Sequence, residues 1–310
     1  MDVTVKTTLA ILVVLIITTA ILLGNFITIV AFIKTPHLNT ASNFFIIALA
    51  ISDLVVGFSI PYDMVVHLML SHDKVKEDYS QFAIICLGSV VPIIVSLIAS
   101  SINIFLIAFD RYTSVAYPVF HRNFMTRRHA KILIALGVLL ALLIGSVPLY
   151  SNNWPGNRNG KTFCTTLVIS FNYFLAGPLA VVLCCDGLMI FMYIKIHKIA
   201  SSHMPENSKP LKLVVIVLTC CLICWAPFMT CLFFATYEAQ PSVKEKLVGI
   251  SHGVYILSLV ICFCNSFMNP IIYTWKMPDF REAALKILCL NTRDDQIRTT
   301  TAKEHTESSL

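Results

Sequence analysis

Apolar residues run along this chain in seven long stretches, at about 8–33, 43–70, 82–111, 131–150, 167–194, 211–236 and 247–274, separated by polar breaks. Each is close to, or longer than, the roughly 20 residues that carry an α-helix across a hydrocarbon core of about 30 Å. The first, LAILVVLIITTAILLGNFITIVAFI, is too long for a signal-peptide core and has no small-residue cleavage site after a short apolar region, so it reads as a retained span. After the seventh stretch, Pro278 opens a shorter pattern in which Phe280, Ala284, Leu285 and Leu288 recur at helical spacing beside Arg281, Glu282 and Lys286. Proline suits the first turn of a helix, and this periodicity predicts a short amphipathic helix along a membrane surface.

The pattern therefore predicts an all-α membrane protein, a seven-transmembrane helix bundle with a short amphipathic eighth helix. Residues 1–7 precede the bundle, 8–274 form it, 275–289 make the surface helix and 290–310 a cytoplasmic tail. The loops are short except 112–130, 150–166 and 195–210. The tail has few apolar residues and many Thr and Ser; it is expected to be disordered, either as an acceptor of phosphate or as a plain solvated end. No soluble domain and no internal repeat is evident.

Composition names the solvent. With 57% hydrophobic and 13% charged residues and a mean hydropathy of +0.78, most of the chain cannot face water, and lipid is what remains. Sixteen Lys and Arg fall on one side of the seven spans and 7 on the other. The richer side is expected to be cytoplasmic, which places the N-terminus outside in a multi-pass plasma membrane protein. The net charge of +6 then reflects topology and points to no nucleic acid, because no soluble domain carries a basic face.

Of the eleven Cys, only Cys86, near the outer end of the third span, and Cys164, in the outer loop, sit where oxidising conditions permit a bridge, and they are expected to pair. Cys221 and Cys224 have redox-motif spacing but lie within a span, where Cys behaves as a small apolar residue. Cys289, after the amphipathic stretch, is a candidate for palmitoylation.

Polar groups inside the spans carry the chemistry. An ionisable side chain there costs several kcal/mol and is a functional hypothesis by default. Asp53 sits midway along the second span, Asn25 at a similar depth in the first, and Asn265 and Asn269 in the seventh. Bundled together, they make either a hydrated core that holds a cation or a set of helix–helix hydrogen bonds. Pro227 in the sixth span and Pro270 in the seventh each remove a backbone hydrogen bond and make a hinge. A polar core beside hinged helices suggests a bundle with two packings.

Asp110-Arg111-Tyr112, at the inner end of the third span, resembles the DRY signature of rhodopsin-like (class A) G protein-coupled receptors. So do Gly24-Asn25, the run LAISD ending in Asp53, Cys86 at 25 residues before Arg111, Cys224-Trp225-Ala226-Pro227, and Asn269-Pro270-Ile271-Ile272-Tyr273 followed by Phe280-Arg281, in family order over residues 24–281. The resemblance implies a receptor that activates a heterotrimeric G protein, with Arg111 restrained by Asp110 at rest. It implies that Asp53, Ser100, Asn265 and Asn269 match the family's sodium pocket, that Trp225 lies beneath the ligand, and that Tyr273 moves inward on activation. Receptor kinases and arrestin are the further partners it implies for the Ser/Thr tail.

There are departures. The fourth span has no Trp, and Cys221 stands where an activating Phe is common. In the fifth span, matching Tyr193 to the family's Tyr puts Cys185 at the proline position, whereas matching Pro178 puts Asp186 at the Tyr. The first alignment leaves more room for the outer loop and is preferred; Asp186 is then unexplained.

Ile93 lies 18 residues before Arg111, about 27 Å along the same helix face. Amine receptors of the resembled family carry an Asp there, so a standard monoamine is disfavoured. Phe263 stands where opsins hold their retinal lysine. The expected pocket is Ile93, Ile94, Leu97, Trp225, Phe228, Met229, Leu232, Tyr255 and Leu259, and in the preferred alignment the outer part of the fifth span carries Gly177 and Val181 and lacks the serines that read catechols. Such a lining suits a small apolar or aromatic ligand. Asp63, with His67 one turn on, is the one charged candidate in it. The short N-terminus and loops resemble adenosine and melanocortin receptors.

Two other classes fit less well. An intramembrane protease is disfavoured because no GxGD accompanies Tyr62-Asp63 and no helical His pair has metal-ligand spacing, so neither a catalytic set nor a metal centre is expected. A transporter would need a continuous polar route, and the buried polar groups cluster toward the inner half.

Overall fold

A lipid-facing backbone must satisfy its own N–H and C=O groups, and the helices here do so. The computed structural model describes residues 3–71, 79–150, 171–203, 219–231 and 251–288, and these contain no strand. α1 is Val3–Lys34, α2 Ala41–Ser71 and α3 Tyr79–Ala116. α4 is Pro118–Phe124, α5 Arg127–Gly145 and α6 the short Val147–Tyr150. α7, Phe171–Phe174, runs through a wide turn at Leu175–Leu179 into α8, Ala180–His203. α9 is Thr219–Cys231; α10 is Ser251–Lys276 and α11 Pro278–Ile287. Six of the described helices contain a segment long and apolar enough to cross a membrane, and α9 is a shorter apolar helix.

α3 lies at the centre, against α2, α4, α5, α6 and α8, while α1 packs on α2, α10 and α11. Phe45, Leu49, Ile98, Ile104 and Tyr273 are among the fully buried side chains. Leu12, Ile16 and Leu23 of α1, Leu139 and Leu143 of α5, and Leu183 and Phe191 of α8 point outward. Water would penalise that outer apolar surface; lipid does not. Because lipid supplies no hydrophobic drive between helices, close approach at small residues does the holding. A Cβ on Gly24 would lie 3.0 Å from Cγ of Pro270, and one on Gly145 3.0 Å from Cα of Val95.

Helix ends differ from the sequence pattern at three places. α3 continues to Ala116, and the expected loop 112–130 is mostly helical, because Pro118 starts α4 and Thr126 caps α5 by accepting the His129 amide at 3.3 Å. Tyr117, the residue before Pro118, leaves the helical region (φ −139°, ψ 64°), as a residue preceding proline does. The helix through the fifth stretch runs on to His203, so the inner loop expected at 195–210 begins later. The surface helix is α11, whose Phe280, Ala283 and Ala284 are buried. Leu288 stays half exposed.

Candidate functional site

Three assemblies hold the residues that the pattern singled out. The first is at the end of α3. Asp110 is buried; its Oδ1 accepts the Ser42 hydroxyl of α2 at 3.0 Å and the His121 Nε2–H of α4 at 3.0 Å. Arg111 Nε stands 3.7 Å from Asp110 Oδ2 and is itself buried without a hydrogen-bond partner among the described residues. Asp110 and Arg111 therefore meet, but the closer holds on the carboxylate come from Ser42 and His121. Neither was singled out from the sequence. Tyr117-Pro118 was the available signal, because a helix restarted by Pro118 turns His121 back toward the end of α3.

Tyr112, Tyr193 and Tyr273 do not join that carboxylate. The Tyr112 ring packs edge-on against Tyr117 with centroids 5.9 Å apart. Tyr193 lies half-buried with its ring 6.2 Å from His197. Tyr273 is fully buried, 6.3 Å from the Phe280 ring, and its hydroxyl has no hydrogen-bond partner among the described residues.

The second assembly is the polar core. Asn269 Nδ2 donates to Asp53 Oδ2 at 2.8 Å, and Ser266 and Ser100 stand beside the same carboxyl group. Asp53 Oδ1 and Ser100 Oγ are buried without a hydrogen-bond partner among the described residues. Buried oxygens left unmatched are costly, and a carboxylate and a hydroxyl oxygen are the donor types a small monovalent cation takes. Asn265 is buried as well. Asn25 takes another part: its amide donates to the Ile21 carbonyl at 2.9 Å and the Ser266 carbonyl at 3.2 Å, strapping α1 to α10.

The third is a cavity between α3, the fifth stretch, α9 and α10. α3 lines it with Ile93, Ile94, Leu97 and Ile98; Trp225, Phe228 and Met229 come from α9, and Leu259 from α10. On the fifth stretch the lining is Phe174, Pro178 and Val182. A Cβ on Gly177 would meet Ile144 and Tyr173. The wide turn around Pro178 absorbs the missing N–H and resets which residues face inward. Asp63 stands outside the lining, accepting the Ser89 hydroxyl at 2.8 Å. Leu232 lies outside the described residues, as do the side chains of His67 and Tyr255. Pro227 and Pro270 lie inside α9 and α10.

Cys86 is disulfide-bonded; Cys164 and Cys289 lie outside the described residues. Cys221 and Cys224 are free thiols. Asp186 is buried in α8, its Oδ1 without a hydrogen-bond partner among the described residues.

Residues 24–273 match the family described as 7 transmembrane receptor (rhodopsin family). The chain is 27% identical over 293 residues to melatonin receptor type 1B of Homo sapiens, covering 89% of this chain and 77% of that one. It is 24% identical over 289 residues to adenosine receptor A3 of Ovis aries, covering 86% and 85%. Over 291 residues it is 25% identical to melanocortin receptor 4 of Danio rerio, covering 86% and 80%.

Proposed function

Because the chain belongs to the rhodopsin family of seven-transmembrane receptors, multi-pass plasma membrane proteins that signal through G proteins without being enzymes, we propose that a small, neutral, apolar or aromatic ligand switches it from the cavity above Trp225. The observation that carries this reading is the lining. Every side chain around the cavity is apolar or aromatic, the kind of lining that ligand sites for small apolar molecules have. An ammonium or carboxylate there would lose its hydration with no counter-charge, since Ile93 supplies none and Asp63 lies elsewhere. The similar receptors are named for melatonin, adenosine and melanocortin, three different ligands, so likeness alone does not choose among ligands.

A ligand shifts the bundle only by binding one packing better than the other. Contact with Trp225 biases α9 about Pro227, and the Arg111 end opens to the G protein. Asp53 and Ser100 hold a sodium ion that favours the resting packing. The Lys and Arg distribution supports a cytoplasmic Arg111 end and an extracellular N-terminus. Cys86 pairs with Cys164, Cys289 carries a palmitoyl chain, and the Thr- and Ser-rich tail is a substrate for receptor kinases and a dock for arrestin.

The test is Arg111→Ala in cells carrying a promiscuous G-protein reporter and screened with a chemically broad ligand panel. Activation by any hit is expected to vanish while surface expression remains. Signalling equal to wild type, or hits that are all cationic, would overturn the reading.

A further inference from the structure

The carboxylate at the end of α3 is held less by Arg111 than by its other neighbours. The Arg111 contact is 3.7 Å, beyond hydrogen-bond reach. His121 and Ser42 both reach Oδ1 at 3.0 Å. His121 belongs to α4, and α4 has no buried residue of its own. Tyr117, Val119 and Phe120 around its start are exposed, and apolar anchoring comes at its far end, where Phe124 packs on the core beside the buried Met125. Its side-chain tie to Asp110 is the His121 imidazole.

We propose that His121 is a proton-sensitive positioning residue: proton uptake by its imidazole tightens α4 onto Asp110 and strengthens the resting packing of the Arg111 end. A neutral imidazole offers Asp110 one ordinary N–H bond. An imidazolium offers a charge-assisted one, roughly twice as strong, beside a carboxylate already removed from water. Histidine is the side chain that makes this change between about pH 5 and 8.

The other groups near the pair do not compete for this role. Arg111 keeps its charge throughout, and Ser42 contributes a hydroxyl. On α5, His129 is engaged with the Phe124 carbonyl at 2.6 Å and stacked on the Phe124 ring, and Lys131 sits 5.1 Å over the Phe44 ring of α2. Arg122 follows His121 on α4, and the phenols of Tyr112 and Tyr117 meet each other.

The sign follows from linkage. The charge-assisted bond is available only while α4 is docked on Asp110, so protonation favours the closed end and rising pH releases it. This rests on the reading that exchange on the G protein is driven from the Arg111 end, and two measurements separate the two ideas. The first is the apparent unfolding temperature of the purified receptor at pH 6 and pH 8 with no G protein present. Wild type is expected to lose several degrees between them, and His121→Gln to lose clearly less. Equal shifts in the two proteins, or a wild-type profile that is flat, would overturn the proposal.

The second is ligand-free nucleotide exchange on a reconstituted G protein, with the G protein's own pH response subtracted. Wild type is expected to rise several-fold from pH 6 to pH 8. His121→Gln should be flat near the upper level and His121→Lys, with a fixed charge, flat near the lower one. A pH-dependent stability without any exchange would leave the latch standing and sink the G-protein reading of that end. A His121→Gln exchange profile that follows wild type would sink the latch.

Discussion

Asn269 of α10 donates its amide to Asp53 of α2 across 2.8 Å, in the part of the bundle where Asp53 Oδ1 and Ser100 Oγ have no hydrogen-bond partner among the described residues. One oxygen of the carboxylate thus ties two helices together, and the proposed sodium ion would take the other. Asp53→Asn keeps a group that can bond to Asn269 and removes the charge. Ligand-free exchange is expected to fall with added sodium chloride in wild type, relative to a bulky-cation chloride at equal ionic strength, and to be insensitive to sodium in the variant. An equal response in both would remove the ion from this site.

Leu97 lines the cavity beside Trp225. Leu97→Trp fills space that a ligand needs, and overpacking of this kind costs about 1–3 kcal/mol, roughly a 5- to 150-fold loss of potency. Ligand-free exchange should change little, since the Arg111 end is untouched. A panel hit whose potency is the same in wild type and variant would place its binding elsewhere.

Gly145 and Gly187 make a matched pair for the packing. A Cβ on Gly145 would lie 3.0 Å from Cα and 3.1 Å from N of Val95, whereas one on Gly187 meets nothing within 4 Å. Backbone cannot give way as a side-chain tip does, so Gly145→Ala should push α5 from α3, at about 1–3 kcal/mol, and lower both surface expression and unfolding temperature. Gly187→Ala should be neutral, or gain a few tenths of a kcal/mol to about 1 kcal/mol in helix propensity. Similar losses in the two would mean that helix contact is not what the glycines serve.

Ser42→Ala removes one of the two bonds on Asp110 Oδ1. A bond of this type contributes about 1 kcal/mol, so ligand-free exchange should rise roughly fivefold and, unlike in His121→Gln, keep its pH dependence. Unchanged exchange would assign the hold on Asp110 to His121 alone.

How much of this was legible beforehand varies with the kind of feature. The apolar stretches, the helix after Pro278, and the run of motifs from Gly24 to Arg281 are local, and bilayer thickness turns length and hydropathy directly into helices. Lying close to Arg111 in sequence did not bring Tyr112 onto Asp110, whereas Ser42, 68 residues away, is bonded to it. In the fifth stretch, the two alignments differed over Pro178, Cys185 and Asp186, and it is Pro178 and Val182 that line the cavity. A helix that is apolar nearly all round has no amphipathic face to fix its rotation about its own axis.

The sequence by itself determined that the chain is a set of membrane helices with hinges, a buried Asp and an Asp–Arg pair at the end of the third one. Those follow from solvent, length and residue type, which act along the chain. Only the tertiary structure decided which side chains share a space: His121 and Ser42 on Asp110, Asn25 as a strap to α10, Asp63 outside an apolar cavity. Each of these depends on the rotation and approach of helices distant in sequence, set by close contacts such as Gly24 against Pro270, for which a sequence of near-uniform hydrophobicity carries no code.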